Sequence, residues 1–334
     1  MNDSLHKEPI DAVITWVDGR DPNHQKKLAD YLATLGISRP TSAAPTRFNE
    51  CGELTYSVFS LLHYAPWIRT IFLVTDDQTP PVLKLLQGTQ FEKKLKLIDH
   101  RELFKEYEQY LPTFNSITIE SMLWRIPELA ERFIYFNDDC LLVRPLNYED
   151  FFNQNKPVLR GVWKTQHHKK WHTQLILWLP YWLRASNFYK PVDEHRALQE
   201  NTAKKVGFKK RFFHLHHVPF SLCKTTFKDY FSNHPELLSA NIVYPLRDKE
   251  QFWPISLAHH LDLKNHNAVV DLQLKAIMVN GAFHSLKKIR QRLHQIEKNN
   301  QIAFLCMQSI DSAPPEIQQC MLDWLDEHIP LRFS

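Results

Sequence analysis

Phe133-Ile134-Tyr135-Phe136-Asn137-Asp138-Asp139-Cys140 is the stretch on which the reading of this chain turns. Four apolar or aromatic residues, the composition of a buried strand, give way at once to an amide and two carboxylates. In an open α/β sheet, ligands bind at the carboxyl ends of strands. Adjacent carboxylates repel each other unless a cation or hydrogen-bond donors neutralise them. A hard divalent ion shared with substrate phosphates, Mg²⁺ or Mn²⁺, suits oxygen ligands of this kind, which makes Asp138 and Asp139 the candidate metal ligands. A polar turn that merely closes a strand is the bland alternative, and the rest of the chain has to decide between the two.

Upstream, the same pattern recurs. Residues 10–17 read as a strand, followed by the turn Asp18-Gly19-Arg20-Asp21-Pro22. Further strands are expected at 70–75, ending in Asp76-Asp77, and at 95–98, ending in Asp99. Helices are expected at 23–35, at 54–62 from the recurrence of Leu54, Val58, Leu61 and Leu62, at 101–110, and at 116–131 with Pro127 kinking or shortening it. Strands alternating with helices, several ending in an acid, predict an α/β fold with a mainly parallel sheet flanked by helices. After residue 150 the pattern is less regular. A strand is expected at 158–163, helices at 253–261, 285–299 and 314–329, and a late strand at 302–307 that returns to the first sheet. The softest boundary lies near 150–165.

Composition narrows the function. At 334 residues, 43% hydrophobic and 23% charged, the chain can bury a sizeable core and is not disordered. Only 7 glycines are present and no Gly-rich phosphate loop occurs. A net charge of +4 suits an anionic substrate or a membrane surface, and no nucleic-acid-binding motif accompanies it. Five widely spaced cysteines without a C-x-x-C pair predict reduced, buried thiols rather than a structural zinc site. His214, His216 and His217 invite a metal reading, but strand alternation would put His217 on the opposite face from the other two. No run of about 18 apolar residues exists, and the first residues lack the apolar core of a secretory signal, so the expected location is the cytoplasm. The basic, aromatic stretch at 167–184 fits a helical insert packed on the core; peripheral contact with the inner membrane is the alternative.

Three segments resemble the Stealth family of bacterial capsular polysaccharide phosphotransferases, which includes the catalytic part of the animal N-acetylglucosamine-1-phosphotransferase. The first is Ile10-Asp11-Ala12-Val13-Ile14-Thr15-Trp16-Val17-Asp18-Gly19. The second runs from Arg47-Phe48-Asn49 through Glu53-Leu54 to Ile71-Phe72-Leu73-Val74-Thr75-Asp76-Asp77. The third is Leu111-Pro112-Thr113-Phe114-Asn115-Ser116, then Ile119-Glu120, Arg125-Ile126 and the opening stretch. Beyond residue 150, His217-Val218-Pro219 and Arg247 match the family's third region and Phe304-Leu305-Cys306 its fourth. There the chain departs: Gln308-Ser309 stands where the family has Asn-Asp, with Asp311 two residues on.

The resemblance implies a modified Rossmann-like, GT-A-like domain that transfers hexose- or N-acetylhexosamine-1-phosphate from a UDP-sugar to a hydroxyl of a glycan acceptor, releasing UMP. It also implies a nucleotide-sugar and metal-binding core at 1–150, an acceptor-side helical region at 151–300, and a terminal strand and helix at 301–334 that complete the core. On this reading Asp138 and Asp139 hold the ion and Asn137 orients an acid or a phosphate oxygen. Arg47 and Arg247 grip phosphates, His217 deprotonates the acceptor hydroxyl, and Asp18 binds ribose or uracil or joins the metal shell. Asn49, Glu53 and Glu120 contact or orient substrate. Two alternatives remain: a GT-A-like glycosyltransferase that releases UDP, and a non-catalytic polysaccharide-binding protein.

Overall fold

The structure is a computed structural model, and it describes residues 8–45, 48–169 and 194–332. In β1 (Ile10–Thr15) Ala12 and Ile14 point to one face and Val13 to the other, and all three are fully buried. A strand covered on both faces belongs at the centre of a sheet with helices on either side. The chain continues through a helix Pro22–Leu35 and a helix Glu53–Tyr64 to β2 (Ile71–Thr75), β3 (Leu95–Asp99), β4 (Arg132–Asn137) and β5 (Cys140–Leu142). The remaining strands are β6 (Phe152–Asn153), β7 (Lys156–Leu159), β8 (Gly161–Thr165), β9 (Arg211–Leu215), β10 (Phe220–Cys223), β11 (Val269–Val270), β12 (Lys275–Asn280) and β13 (Ile302–Gln308).

The main sheet has the order β10-β4-β1-β2-β3. β1 to β4 are parallel, and β10 lies antiparallel along the β4 edge. The expected mainly parallel α/β sheet is therefore present. The late strand is not among its five strands: β13 joins a separate three-stranded sheet in the order β12-β13-β5. The chain leaves the main sheet after β4 at the Asp138-Asp139 turn, and β5 offers β13 an edge, with Cys140 opposite Cys306. The side chains of β13 still pack into the same apolar cluster as Ile10, Ile14 and Phe136.

Three expected elements are shorter or divided. The helix at 101–110 reduces to His100–Leu103 and a 3-10 turn Glu108–Tyr110, because Glu106 takes a left-handed φ of 71°. The helix at 116–131 reduces to Ser116–Glu120 and a turn Leu123–Arg125. Pro127 drives Ile126 to ψ 123°, outside the helical region. The strand at 158–163 breaks at Arg160, whose guanidinium turns inward, 3.1 Å from Asp271 and 4.9 Å from the Phe304 ring centre. Gly161 follows because a Cβ there would lie 2.5 Å from the His214 carbonyl oxygen. Most of the stretch at 167–184 lies outside the described residues. Among the described residues no helix is long and apolar enough to cross a membrane.

The amino ends of the sheet are tied by one buried charge. Asp11, fully buried in β1, accepts from Arg69 Nε at 2.8 Å and from the Ala130 amide at 2.7 Å. Arg69 also donates to the Glu128 carbonyl at 2.8 Å, so the entries of β1, β2 and β4 meet at one ion pair. Asp11 is fully buried although the Arg69 side chain is half-exposed, so removing the guanidinium leaves a buried charge uncompensated. Arg69→Ala should cost about 3 kcal/mol in denaturant unfolding; a loss below about 0.5 kcal/mol would show that water reaches Asp11 and screens it.

Candidate active site

β2 and β3 extend to one side of β1 and β4 to the other, so the strand order reverses between β1 and β4. Crevices open at the carboxyl ends of strands at such a point. Here Thr15 pairs in register with Val74 on one side and Asn137 on the other. Beyond them lies a groove of about 1380 Å³ whose lining includes Asn137, Asp138 and Asp139.

The acids are crowded. Glu53 opens the helix Glu53–Tyr64 directly after Gly52, whose φ of 101° suits glycine. Burial raises the Glu53 carboxyl to about 7, and the charges of Glu50 and Asp139 add to the effect. Burial, then Asp139, Glu53 and Glu50, push Asp138 well above the usual carboxylate range. Asp139 goes the other way. Burial opposes its ionisation, but His217, Gln308 and Cys306 stabilise the charged form and hold it below its ordinary value. Gln308 Nε2 donates to Asp139 Oδ2 at 2.9 Å, and His217 Nε2 stands 3.8 Å from Oδ1. Oδ1 itself is buried with no hydrogen-bond partner among the described residues. Burial alone would lower His217; the negative charge it meets at Cys140 and Asp139 raises it well above its ordinary range.

The structure gathers most of the residues singled out from the sequence. Asn49, Glu53, Glu120, Asn137, Asp138, Asp139, His217 and Arg247 all line this groove. Arg247 donates to Ser116 Oγ at 2.8 Å. Glu120 accepts from Trp253 Nε1 at 2.7 Å and Tyr135 Oη at 3.2 Å, and burial raises it to about 7. Asp18 is turned elsewhere: its carboxylate accepts from the Arg20 amide at 2.9 Å, and it does not line the groove. Arg47 lies outside the described residues.

Residues 8–36 match conserved region 1 of Stealth proteins, and residues 47–159 match conserved region 2. The chain carries the first two conserved regions of the Stealth proteins. It is 44% identical over 156 residues to a capsular polysaccharide phosphotransferase of Actinobacillus pleuropneumoniae, a match covering 46% of this chain and 41% of that protein. It is 34% identical over 253 residues to an exopolysaccharide phosphotransferase of Streptomyces coelicolor, covering 75% of this chain and 25% of that one. The matches thus span well under half the length of these curated relatives. Among solved structures, a galactosyltransferase in complex with donor and acceptor sugar analogues aligns over 95% of this chain and 96% of that one. It does so at 12% identity and a TM-score of 0.46, too loose a likeness to bear on function.

Stealth region 1 supplies β1, and region 2 supplies Asn49, Glu53, Glu120 and the Asn137-Asp138-Asp139 edge. His217, Arg247 and Gln308 reach the groove from outside both matched spans. Sequence reading missed Cys140 and Cys306 as neighbours of this site. Ligand atoms of Asp139, Cys140, His217 and Cys306 lie within 4.8 Å of one another. Of the three nearby histidines only His217 takes part, and both thiols come from strands paired across 166 positions, so no local spacing could announce the set.

Glu53 provides a direct test of the acidic crowding. Folding raises its carboxyl from 4.5 to about 7, so its contribution to stability is fully present below pH 4.5 and is lost as pH rises through 7. Glu53→Gln should match the wild type near pH 4.5 and exceed it by about 3 kcal/mol at pH 8. A gap that stays constant with pH would show that Glu53 is not held protonated.

Proposed function

We propose that the chain transfers hexose- or N-acetylhexosamine-1-phosphate from a UDP-sugar to a sugar hydroxyl of a capsular or other surface polysaccharide. The acceptor oxygen bonds to the phosphorus that bears the sugar, the bond from that phosphorus to the bridging oxygen breaks, and UMP leaves. The reading is carried by the Asp138-Asp139 pair, which lies within Stealth region 2 at the switch point of the sheet, facing a groove that Arg247 and His217 also line. Relatives named capsular and exopolysaccharide phosphotransferases support the same class of reaction.

The residues fit a divalent ion. Asp139 Oδ1 is buried with no hydrogen-bond partner among the described residues, His217 Nε2 standing off at 3.8 Å, and Asp138 is pushed up by burial and by neighbouring carboxylates that a cation would relieve. Asp138 and Asp139 would hold Mg²⁺ or Mn²⁺; the cysteine side of Asp139 offers softer donors, which favour an ion such as Zn²⁺. Bound there, a divalent ion would offset the charge of the diphosphate.

The protein's own groups divide the remaining work. Arg247, anchored on Ser116, presents a guanidinium suited to paired phosphate oxygens. His217 is raised well above its ordinary range and so enters charged, as a donor to phosphate rather than as the general base expected from its type. Glu120 and Glu53 both line the groove at about 7, a proton affinity suited to accepting a proton from the acceptor hydroxyl; Glu120 is assigned that task because it stands on the helix against which the Arg247 segment packs.

The released nucleotide decides the reaction. Incubation with UDP-sugars, Mg²⁺ or Mn²⁺ and a glycan acceptor should yield UMP in proportion to acceptor. UDP in its place would mean cleavage of the sugar–oxygen bond and glycosyl transfer. Asp138→Asn and Asp139→Asn should each lower turnover at least about a hundredfold, the scale for losing a group that meets reaction charge. Their folding should hold, while the rise in Tm that Mn²⁺ gives the wild type is lost. Undiminished turnover in both variants would remove the acids from the site.

A further inference from the structure

One end of the groove is lined by polar atoms that bond to nothing. Trp16 Nε1, both ring nitrogens of His24, His100 Nδ1 and Thr113 Oγ1 are all buried without hydrogen-bond partners among the described residues. The four residues are 3–6% exposed, and all line the same groove as the acids. An unpartnered buried polar atom costs about 1–3 kcal/mol, so four such residues gathered on one cavity point to a ligand that satisfies them.

Their places follow from the sheet. Trp16 follows β1, His100 follows β3, and Asp76, just past the end of β2, is close enough to act electrostatically on both His24 and His100. Burial keeps both imidazoles uncharged near neutral pH, lowering His24 and taking His100 to about 4. The two imidazoles therefore add no charge here, and Asp76, the acid of this end, is paired with Lys27 Nζ at 3.0 Å, whereas the β4 end is crowded with acids. Three strand spacings, about 14 Å, separate β3 from β4. That is about the reach of an extended nucleoside diphosphate.

We infer that Trp16, His24, His100 and Thr113 form the pocket for the uracil base of the donor; this rests on the reading of the donor as a UDP-sugar. Uracil presents two carbonyl acceptors on either side of one imide N–H. An indole N–H can only donate, a neutral imidazole has one donor and one acceptor, and a hydroxyl serves as either. Together they match an acceptor–donor–acceptor edge. Phe114, whose ring centre is 5.5 Å from that of His24, and Val74 supply apolar walls for a flat ring. Asp18, the residue expected from the sequence to meet the base, is committed to Arg20 instead.

Isothermal titration of the full chain with uridine, UMP and adenosine 5′-monophosphate tests this. Uridine and UMP should bind, the adenine nucleotide markedly less. Thr113→Val and His24→Leu should each weaken UMP about threefold to tenfold while leaving Tm unchanged or raised, because each removes an unpartnered buried polar group. A purely structural role predicts the reverse, a lower Tm with unchanged affinity, and would overturn the pocket. So would a wild type that binds neither uridine nor UMP, which would leave only a water-filled cavity. Asp138→Asn should bind uridine normally, since it acts at the other end. Uridine binding that responds to Thr113→Val, with no UMP released from any UDP-sugar, would uphold the pocket and defeat the phosphotransferase reading. Release of UMP with UDP-sugar KM and uridine affinity unmoved in both variants would do the opposite.

Discussion

Repulsion among carboxylates is the constraint around which this molecule is built. Asp138, Asp139, Glu53 and Glu50 act on one another across a partly buried surface, and four acids drawn together in this way would separate in a flexible chain. The Asp138-Asp139 turn is therefore held from two sides by backbone. Ser57 Oγ, on the helix that begins at Glu53, donates to the Cys140 carbonyl at 2.8 Å, and the Met307 amide donates to the Asp139 carbonyl at 2.9 Å. Ser60 Oγ accepts from the Leu142 amide at 3.0 Å one turn further along the same helix. The second sheet has a positional task as well as a packing one: β13 fixes where Asp139 points.

The cationic side of the groove is positioned by a different device, a buried amide network. Asn115 Nδ2 donates to Gln251 Oε1 at 2.8 Å and to the Tyr244 carbonyl at 3.0 Å. Gln251 Nε2 donates in turn to the Asn241 carbonyl at 2.8 Å, and the Asn241 side chain receives the Phe252 amide at 2.8 Å. Asn115, Gln251 and Asn241 all find partners, so the network rigidifies rather than strains the fold. Its effect is to clamp the segment 244–251, which carries Arg247, against the helix Ser116–Glu120, which carries Glu120. Neutral groups do this task well because they impose geometry without adding charge to a groove already dominated by acids.

These two devices explain which features could be read from sequence. The four parallel strands of the main sheet are apolar runs ended by polar or acidic residues, a local signal, and they were legible to within a residue or two; the short antiparallel β10 was not read. Asp138 and Asp139 were legible because two adjacent carboxylates after a buried strand are hard to justify otherwise. The helices at 101–110 and 116–131 were over-extended because apolar periodicity carried on past points where backbone geometry, at Glu106 and Ile126, did not. The pairing of β13 with β5 could not be read at all, since β5 is three residues long and its partner lies more than 160 positions away. Trp16 lay inside the strand read at 10–17 and Thr113 inside a quoted segment, and neither was singled out as a site residue; only burial without partners among the described residues distinguishes them.

Gln308 shows how a departure in sequence can be consistent with the same site. Its longer side chain brings an amide N–H to Asp139 Oδ2 at 2.9 Å and within 3.5 Å of His217 Nε2. The acid of the family's Asn-Asp pair falls one position on, at Ser309 here, and a carboxylate there would add another negative charge beside a cluster in which Asp138 is already driven far from its ordinary ionisation. The amide does the reverse, stabilising the charged form of Asp139 through one oxygen and leaving the other open. Ser309, next along, takes a left-handed φ of 57°, and the turn it makes carries the chain to Asp311, whose Oδ2 accepts from Asn49 Nδ2 at 3.0 Å. Acidity is thus moved from the end of β13 to a position tethered by Stealth region 2, and the charge at Asp139 is set by a neutral donor.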